Sequence, residues 1–112
     1  MARILIVEDE AVLALDLSLQ LADAGFDVVG PASSSEEALK LLHSVGCDAA
    51  LLDINLDGET SEPVAAALLA LGVPFVSLTG YSAAERPAIF RHAPMLEKPV
   101  RTPALLAALG TL

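Results

Sequence analysis

The sequence is short of cations, of cysteine and of long apolar runs. Six Lys and Arg stand against fifteen Asp and Glu, a formal net charge of −9. That balance argues against nucleic acid as a direct ligand, because phosphate contacts need a cationic surface. A divalent cation or a basic protein surface suits it better. The single cysteine, Cys47, allows no internal disulfide and fits a reducing cytoplasm. It stands just before an apolar run and reads as a small buried hydrophobe rather than a reactive thiol. Hydrophobic residues make up 54% of the chain, yet Asp, Glu, Pro or Gly interrupts each apolar run. None reaches the roughly 18–20 residues that a membrane span needs. Residues 1–7 hold a lone Arg3 and lead straight into a strand pattern, unlike a secretory leader. There is no internal repeat, linker or low-complexity segment. At 112 residues the expectation is one domain over 1–112, with no room for an output domain.

What is present is a regular alternation. Arg3-Ile4-Leu5-Ile6-Val7 is a continuous aliphatic run, as expected of a parallel strand buried on both faces. A helix follows from about Glu10 to Ala24 and stops at Gly25. Val28-Val29-Gly30 is a short second strand. Ser34 with Glu37 three residues on predicts a capping box. It opens a helix with Ala38, Leu41, Leu42 and Val45 on one face, closed by Gly46. Ala49 to Leu52 is the third strand. Pro63 near its start and Gly72 at its end frame a third helix over Val64 to Leu71. Phe75 to Leu78 is the fourth strand. From Ser82 to His92 the helical pattern is weak, and Pro87 limits it to a turn or two on either side. Met95-Leu96 is a short fifth strand, and Thr102-Pro103 cap a last helix over Ala104 to Leu109. The tally is an α/β (βα)5 chain. It predicts a doubly wound five-stranded parallel sheet with right-handed crossovers and helices on both faces.

The first helix carries two apolar stripes. Leu13, Leu17 and Leu21 form one; Val12, Leu15, Leu19 and Ala22 form another, with Asp16, Gln20 and Asp23 in the narrow arc between. Packing on a sheet needs one stripe. The second is either covered by a neighbouring helix or is a docking face for a partner helix or a second copy.

The chemistry gathers where strands end. Leu51-Leu52-Asp53-Ile54-Asn55-Leu56-Asp57-Gly58 delivers an acid from an apolar strand into a loop, where open α/β sheets place their sites. Val7-Glu8-Asp9-Glu10, Leu78-Thr79-Gly80-Tyr81 and Leu96-Glu97-Lys98-Pro99 end similarly. Glu8, Asp9 and Asp53 on adjacent strands bring three carboxylates together, which is costly without a cation. Mg²⁺ takes oxygen ligands, a few carboxylates and waters, and Asn55 could add a backbone carbonyl. Thr79 offers a hydroxyl and Lys98 an ammonium, both suited to phosphoryl oxygens. Phosphoryl transfer needs mainly positioning and charge neutralisation. His43 and His92 have no matching ligand cluster, Asp57 reads as a turn residue, and Glu97 points away from Lys98 in an extended segment.

At these residues the chain resembles the bacterial response-regulator receiver domain over essentially its whole length. The matching elements are Glu8-Asp9, Asp53 with Asn55, Thr79, and Lys98-Pro99. The resemblance implies a flavodoxin-like, CheY-like strand order of 2-1-3-4-5. It implies that Asp53 takes a phosphoryl group from a histidine kinase or histidine phosphotransferase. It also implies Mg²⁺ held by Asp9, Asp53 and the Asn55 carbonyl, with Glu8 acting through water, and Thr79 and Lys98 contacting the phosphoryl group. Two features depart from the commoner receivers: the acidic pair is Glu-Asp, and Met95 stands where an aromatic switch residue is usual. Val76-Ser77-Leu78-Thr79-Gly80-Tyr81 is similar to a subfamily whose fourth strand ends Phe-Ala-Thr-Gly-x-Tyr, without its Phe-Ala. That subfamily comprises stand-alone receivers of general stress signalling that work with HWE-type or related kinases. Membership would make Tyr81 the reporter of phosphorylation and Gly80 its hinge; otherwise Tyr81 packs on the surface.

The expectation is therefore a cytoplasmic, Mg²⁺-dependent, single-domain phosphoacceptor of a two-component phosphorelay, monomeric or weakly dimeric. It would assist its own phosphorylation and dephosphorylation without turning over a separate substrate. The alternative is a phosphorylation-independent adaptor acting through Val12, Leu15 and Leu19. An Asp-nucleophile phosphatase would want an Asp at position 55, where this chain has Asn55. A flavodoxin-like cofactor protein would want a phosphate-binding loop where Glu8-Asp9-Glu10 stands.

Overall fold

A computed structural model of the chain describes residues 2–80 and 86–112. In chain order it contains β1 (Arg3–Val7), α1 (Ala11–Asp23), β2 (Asp27–Ala32), α2 (Ser35–Ser44) and β3 (Ala49–Asp53). A small hairpin follows, β4 (Asn55–Leu56) and β5 (Glu59–Thr60), then α3 (Glu62–Ala70), β6 (Phe75–Thr79), β7 (Met95–Glu97) and α4 (Thr102–Gly110). Five strands pair in parallel in the order β2-β1-β3-β6-β7. Numbering only these sheet strands, that is the expected order 2-1-3-4-5.

Strand periodicity divides the core. Successive side chains of a strand face opposite ways, so Leu5 and Val7 join Leu42, Val64, Leu68 and Phe90 beneath α2 and α3. Ile4 and Ile6 join Leu17, Leu21, Leu105 and Ala108 beneath α1 and α4. The run read as a strand buried on both faces is buried from Ile4 to Val7 with Arg3 exposed at its start, and β3 and β6 are buried at every residue.

Several elements differ in detail from the sequence expectation. β2 runs on through Gly30-Pro31 to Ala32. Gly30 makes this possible with φ of +92°, where an added Cβ would lie 2.8 Å from the Ala32 nitrogen. The ladder with β1 slips there and resumes at Val7 opposite Ala32. β2 is an edge strand, where a proline without an N–H is tolerated. At α2 the Ser34 hydroxyl accepts the Glu37 N–H at 3.1 Å. The reciprocal arm of the box goes one residue further back, with the Ser33 N–H and hydroxyl donating to Glu37 Oε2. α2 ends at Ser44, so Val45 is its C-cap and is 47% exposed rather than part of the buried face.

The fourth crossover has no α-helix among the described residues. A short 3-10 turn, Ala88–Phe90, follows Pro87, whose ψ of 153° is extended. Residues 82–85 of the weak helical stretch lie outside the described residues. Along α1, Ala14, Leu17 and Leu21 are buried, while Val12, Leu15 and Leu19 are 85%, 60% and 58% exposed. No neighbouring helix covers the second stripe among the described residues: α4 packs on the side of Leu17 and Leu21. No described helix is long and apolar enough to cross a membrane.

Candidate functional site: an acidic cleft at the strand ends

Parallel strands all end on the same edge of the sheet, so residues just past β1, β3, β6 and β7 meet there. Glu8 and Asp9 follow β1. Asp53 closes β3, Thr79 closes β6, and Lys98 follows β7. Paired register brings them level: Val7 lies opposite Leu52, Asp53 opposite Leu78, and Thr79 opposite Glu97. A backbone bond from Lys98 N–H to the Thr79 carbonyl at 3.1 Å continues the last ladder by one step.

Asp53 is buried, with its backbone carbonyl accepting from the Ser61 hydroxyl at the start of α3. Its Oδ2 accepts from Lys98 Nζ at 3.0 Å. Lys98 Nζ also meets Glu8 Oε1 at 3.0 Å and Glu10 Oε1 at 3.2 Å, so one ammonium serves three carboxylates. Asp9 Oδ2 accepts the Asp57 N–H at 3.0 Å, which ties the hairpin turn to the loop after β1. Asn55 is exposed on β4, two residues beyond Asp53. Asp9, Glu10, Asp53, Asn55, Asp57, Gly58, Gly80 and Lys98 line a polar cleft of about 370 Å³.

The charges in this cleft do not balance. Burial first, and then the hydrogen bond to Asp53, push the Glu8 carboxyl up to about 8, against the pull of Lys98. Burial alone would lower the Lys98 ammonium, but its bonds to Asp53 and Glu8 overcome that and hold it above its ordinary value. A single cation therefore offsets only part of the acid. Carboxylate oxygens of Glu8, Asp9 and Asp53 lie within 4.8 Å of one another. Glu8 Oε2 is buried without a hydrogen-bond partner. An orphaned carboxylate oxygen among close oxygens is the donor set that a small hard cation accepts. These residues fit Mg²⁺.

Residues 4–110 match the response regulator receiver domain family. The chain belongs to that family. This receiver is 40% identical to SdrG from Sphingomonas melonis Fr1, with a TM-score of 0.87 over 98% of this chain and 94% of that one. It superposes on the PhyR stress response regulator with a TM-score of 0.82 and 30% identity, over 97% of this chain and 43% of that one. Over 84 residues, 71% of this chain, it is 33% identical to the transcriptional regulatory protein PdtaR of Mycobacterium tuberculosis. The receiver spans about two-fifths of the length of that relative, 40%.

Glu8, Asp9, Asp53, Thr79 and Lys98 thus meet at one edge, with Asn55 and Gly80 at the cleft lining. Tyr81 lies outside the described residues. Val12, Leu15 and Leu19 are not part of the cleft; they stand on the open face of α1. Next to them a more apolar cavity of about 620 Å³ runs between α1 and β2, lined by Leu15, Leu19, Ala22, Val28 and Pro31, and touching Glu8 and Asp9 at one end. Sequence reasoning did not find Glu10 as a partner of Lys98. It also missed the role of Glu59, whose carboxylate accepts the Ser35 N–H at 2.9 Å at the start of α2. The Asp57-Gly58 pair, a two-residue turn sequence between Leu56 and Glu59, is the local sign of the hairpin.

Proposed function

We propose that this receiver is a Mg²⁺-dependent phosphoacceptor of a two-component phosphorelay, with Asp53 as the acceptor. The observation that carries the reading is the buried Asp53 carboxylate, paired with Lys98 at 3.0 Å and flanked by Glu8 and Asp9. One Asp53 oxygen attacks phosphorus of a phosphohistidine in line. The P–N bond breaks, and the imidazole nitrogen keeps the electron pair. Asp9, Asp53 and the Asn55 carbonyl would hold Mg²⁺, with Glu8 acting through water, and the ion would supply charge neutralisation for the phosphoryl oxygens. Lys98 and the Thr79 hydroxyl take the remaining oxygens. Because Asp53 already accepts from Lys98, transfer requires that ammonium to shift from the carboxylate to the phosphoryl group. That movement, with Gly80 as hinge and Tyr81 as reporter, is the proposed switch. The same site would assist hydrolysis of its own acyl phosphate.

Intact mass after incubation with a small-molecule phosphodonor tests this reading. We expect one phosphoryl adduct in the presence of Mg²⁺, none without it, and none in Asp53→Asn. An adduct of equal yield in Asp53→Asn would rule Asp53 out as acceptor.

The kinship with a stress response regulator supports a place in stress signalling, in the cytoplasm, with a histidine kinase, HWE-type or related, or a phosphotransferase upstream. Val12, Leu15 and Leu19 would form the docking face, since an uncovered aliphatic stripe beside the acidic cleft suits a partner helix with an apolar face and a basic flank. The same exposed stripe favours a second reading, a phosphorylation-independent adaptor. Leu15→Glu with Leu19→Glu should leave thermal unfolding within a few degrees of wild type, because both side chains are largely exposed. Adduct formation from the small donor should persist while transfer from the cognate kinase falls by at least tenfold. Loss of folding instead would show that the stripe is structural.

A further inference from the structure

Glu10 occupies the N-cap position of α1, with φ −78° and ψ 109°, yet its side chain makes no capping hydrogen bond. Ser, Thr, Asp or Asn is preferred there, because a short side chain can reach the free N–H groups of the first turn. The first turn of α1 also carries no acid to offset the helix dipole. Glu10 instead reaches across the cleft to Lys98 Nζ at 3.2 Å. Its backbone carbonyl alone serves the helix, accepting from the Ala14 N–H at 2.9 Å. The carboxylate is therefore free of a structural task within α1. It differs from the other two partners of Lys98 in position. The side chains of Glu8 and Asp53 are 0% and 4% exposed, whereas that of Glu10 is 63% exposed. Glu10 stands at the exposed mouth of the cleft that Asp53 also lines, and the Lys98 ammonium joins the two.

We infer that Glu10 is a positioning and specificity-determining residue that selects phosphodonors by the charge of their leaving group. The inference rests on the phosphoacceptor reading of Asp53. In an in-line transfer the leaving atom stands on the far side of phosphorus from the attacking oxygen. With Asp53 at the floor, that side faces the mouth and Glu10. With an acyl phosphate, the P–O bond breaks and a carboxylate departs with the electron pair, so negative charge grows toward the Glu10 carboxylate and is repelled. With a P–N donor whose nitrogen is protonated, the P–N bond breaks, the nitrogen keeps the pair, and the amine departs neutral. Its positive charge in the bound donor is attracted by Glu10. The pairing with Lys98 acts in the same sense, since it draws the ammonium outward and weakens its hold on a dianionic donor. A carboxylate at the mouth therefore favours phosphoramidate-type donors, phosphohistidine among them, over acyl phosphates.

The test compares second-order phosphorylation rate constants for acetyl phosphate and phosphoramidate, with Mg²⁺, in wild type and Glu10→Gln. Removal of one charge some ångströms from the reacting group at a wet surface is expected to raise the acetyl phosphate constant by about three- to tenfold. The phosphoramidate constant should stay level or fall. The change in their ratio should shrink as ionic strength rises past physiological, where the screening length is about 8 Å. A purely structural role for Glu10 would move both constants by one factor and leave no salt dependence in the ratio. Equal factors, or no change in either, overturn the inference while leaving Asp53 as acceptor. If wild type accepts from neither donor, the phosphoacceptor reading falls and donor selection falls with it.

Discussion

Lys98→Ala is expected to destabilise the metal-free protein by about 2–4 kcal/mol at pH 8, and Mg²⁺ should restore more than half of that. Removing one partner of a buried ion pair costs about 3–5 kcal/mol, because the other charge stays behind unpaired. Here two buried carboxylates are abandoned, Glu8 and Asp53, and Glu8 is already short of one partner at Oε2. Protonation of Glu8 gives it an escape, which is why the expected loss falls below the full range. The dication is the other available counter-charge, hence the rescue. Chemical denaturation of both proteins with and without Mg²⁺ measures the effect; equal stability without metal would show that the ammonium contributes nothing to the cleft.

The same cluster sets a pH dependence. Unfolded Glu8 releases its proton near the ordinary carboxyl value of 4.5, whereas burial in the fold makes it hold the proton until about 8. Between those values the folded state binds more protons, so metal-free stability falls as pH rises through this window. The slope reaches at most about 1.4 kcal/mol per pH unit. Lys98 acts in the opposite window: its raised value contributes stability that is complete below 10.5 and is lost only as pH climbs through its folded value. On the proposed reading Mg²⁺ would draw on the Glu8 carboxylate, so its affinity should strengthen as pH rises toward 8. Denaturation curves at pH 5 and pH 8 give the sign directly, and a metal-free protein that is more stable at pH 8 would contradict it.

Phe90→Ala should lower stability by about 3–5 kcal/mol, the usual cost of emptying a buried aromatic site. For a domain of this size that is a drop of roughly 10–20 °C in Tm. Phe90 is fully buried and meets Phe75 edge to face, with ring centroids 6.2 Å apart and planes at 83°. It is the anchor of the crossover between β6 and β7, and those strands position Thr79 and Lys98. Phe90→Leu, which keeps most of the volume, should cost less than about 1.5 kcal/mol. A small effect of the alanine variant would mean that the short 3-10 turn holds the crossover without its ring.

Much of this molecule is legible in its sequence. Ile4–Val7, Ala49–Leu52 and Phe75–Leu78 announce themselves because a strand buried on both faces is apolar at nearly every position, Ser77 being the one polar residue among them. The acids, the hydroxyl and the lysine that follow such runs share one edge because all the sheet strands are parallel. Less legible were the features that depend on which of two alternatives wins locally. Val28-Val29-Gly30 gave no sign that the strand would continue through Pro31, since that requires an edge position and a glycine at positive φ. Val45 fits the apolar period of α2 but falls past its last turn.

Sequence alone thus determined the alternation of the five sheet strands with helices, the two-faced core and the grouping of Glu8, Asp9, Asp53, Thr79 and Lys98, because periodicity and a shared strand direction suffice for these, whereas the β4–β5 hairpin went unread. Tertiary structure alone decided which stripe of α1 is buried. Either stripe satisfies the helical period, and only the placement of α4 beside Leu17 and Leu21 leaves Val12, Leu15 and Leu19 open. It also decided the partners of Lys98. A long ammonium side chain can reach several acids, and the meeting of the loops after β1, β3 and β7 puts Glu10 among them at the mouth of the cleft.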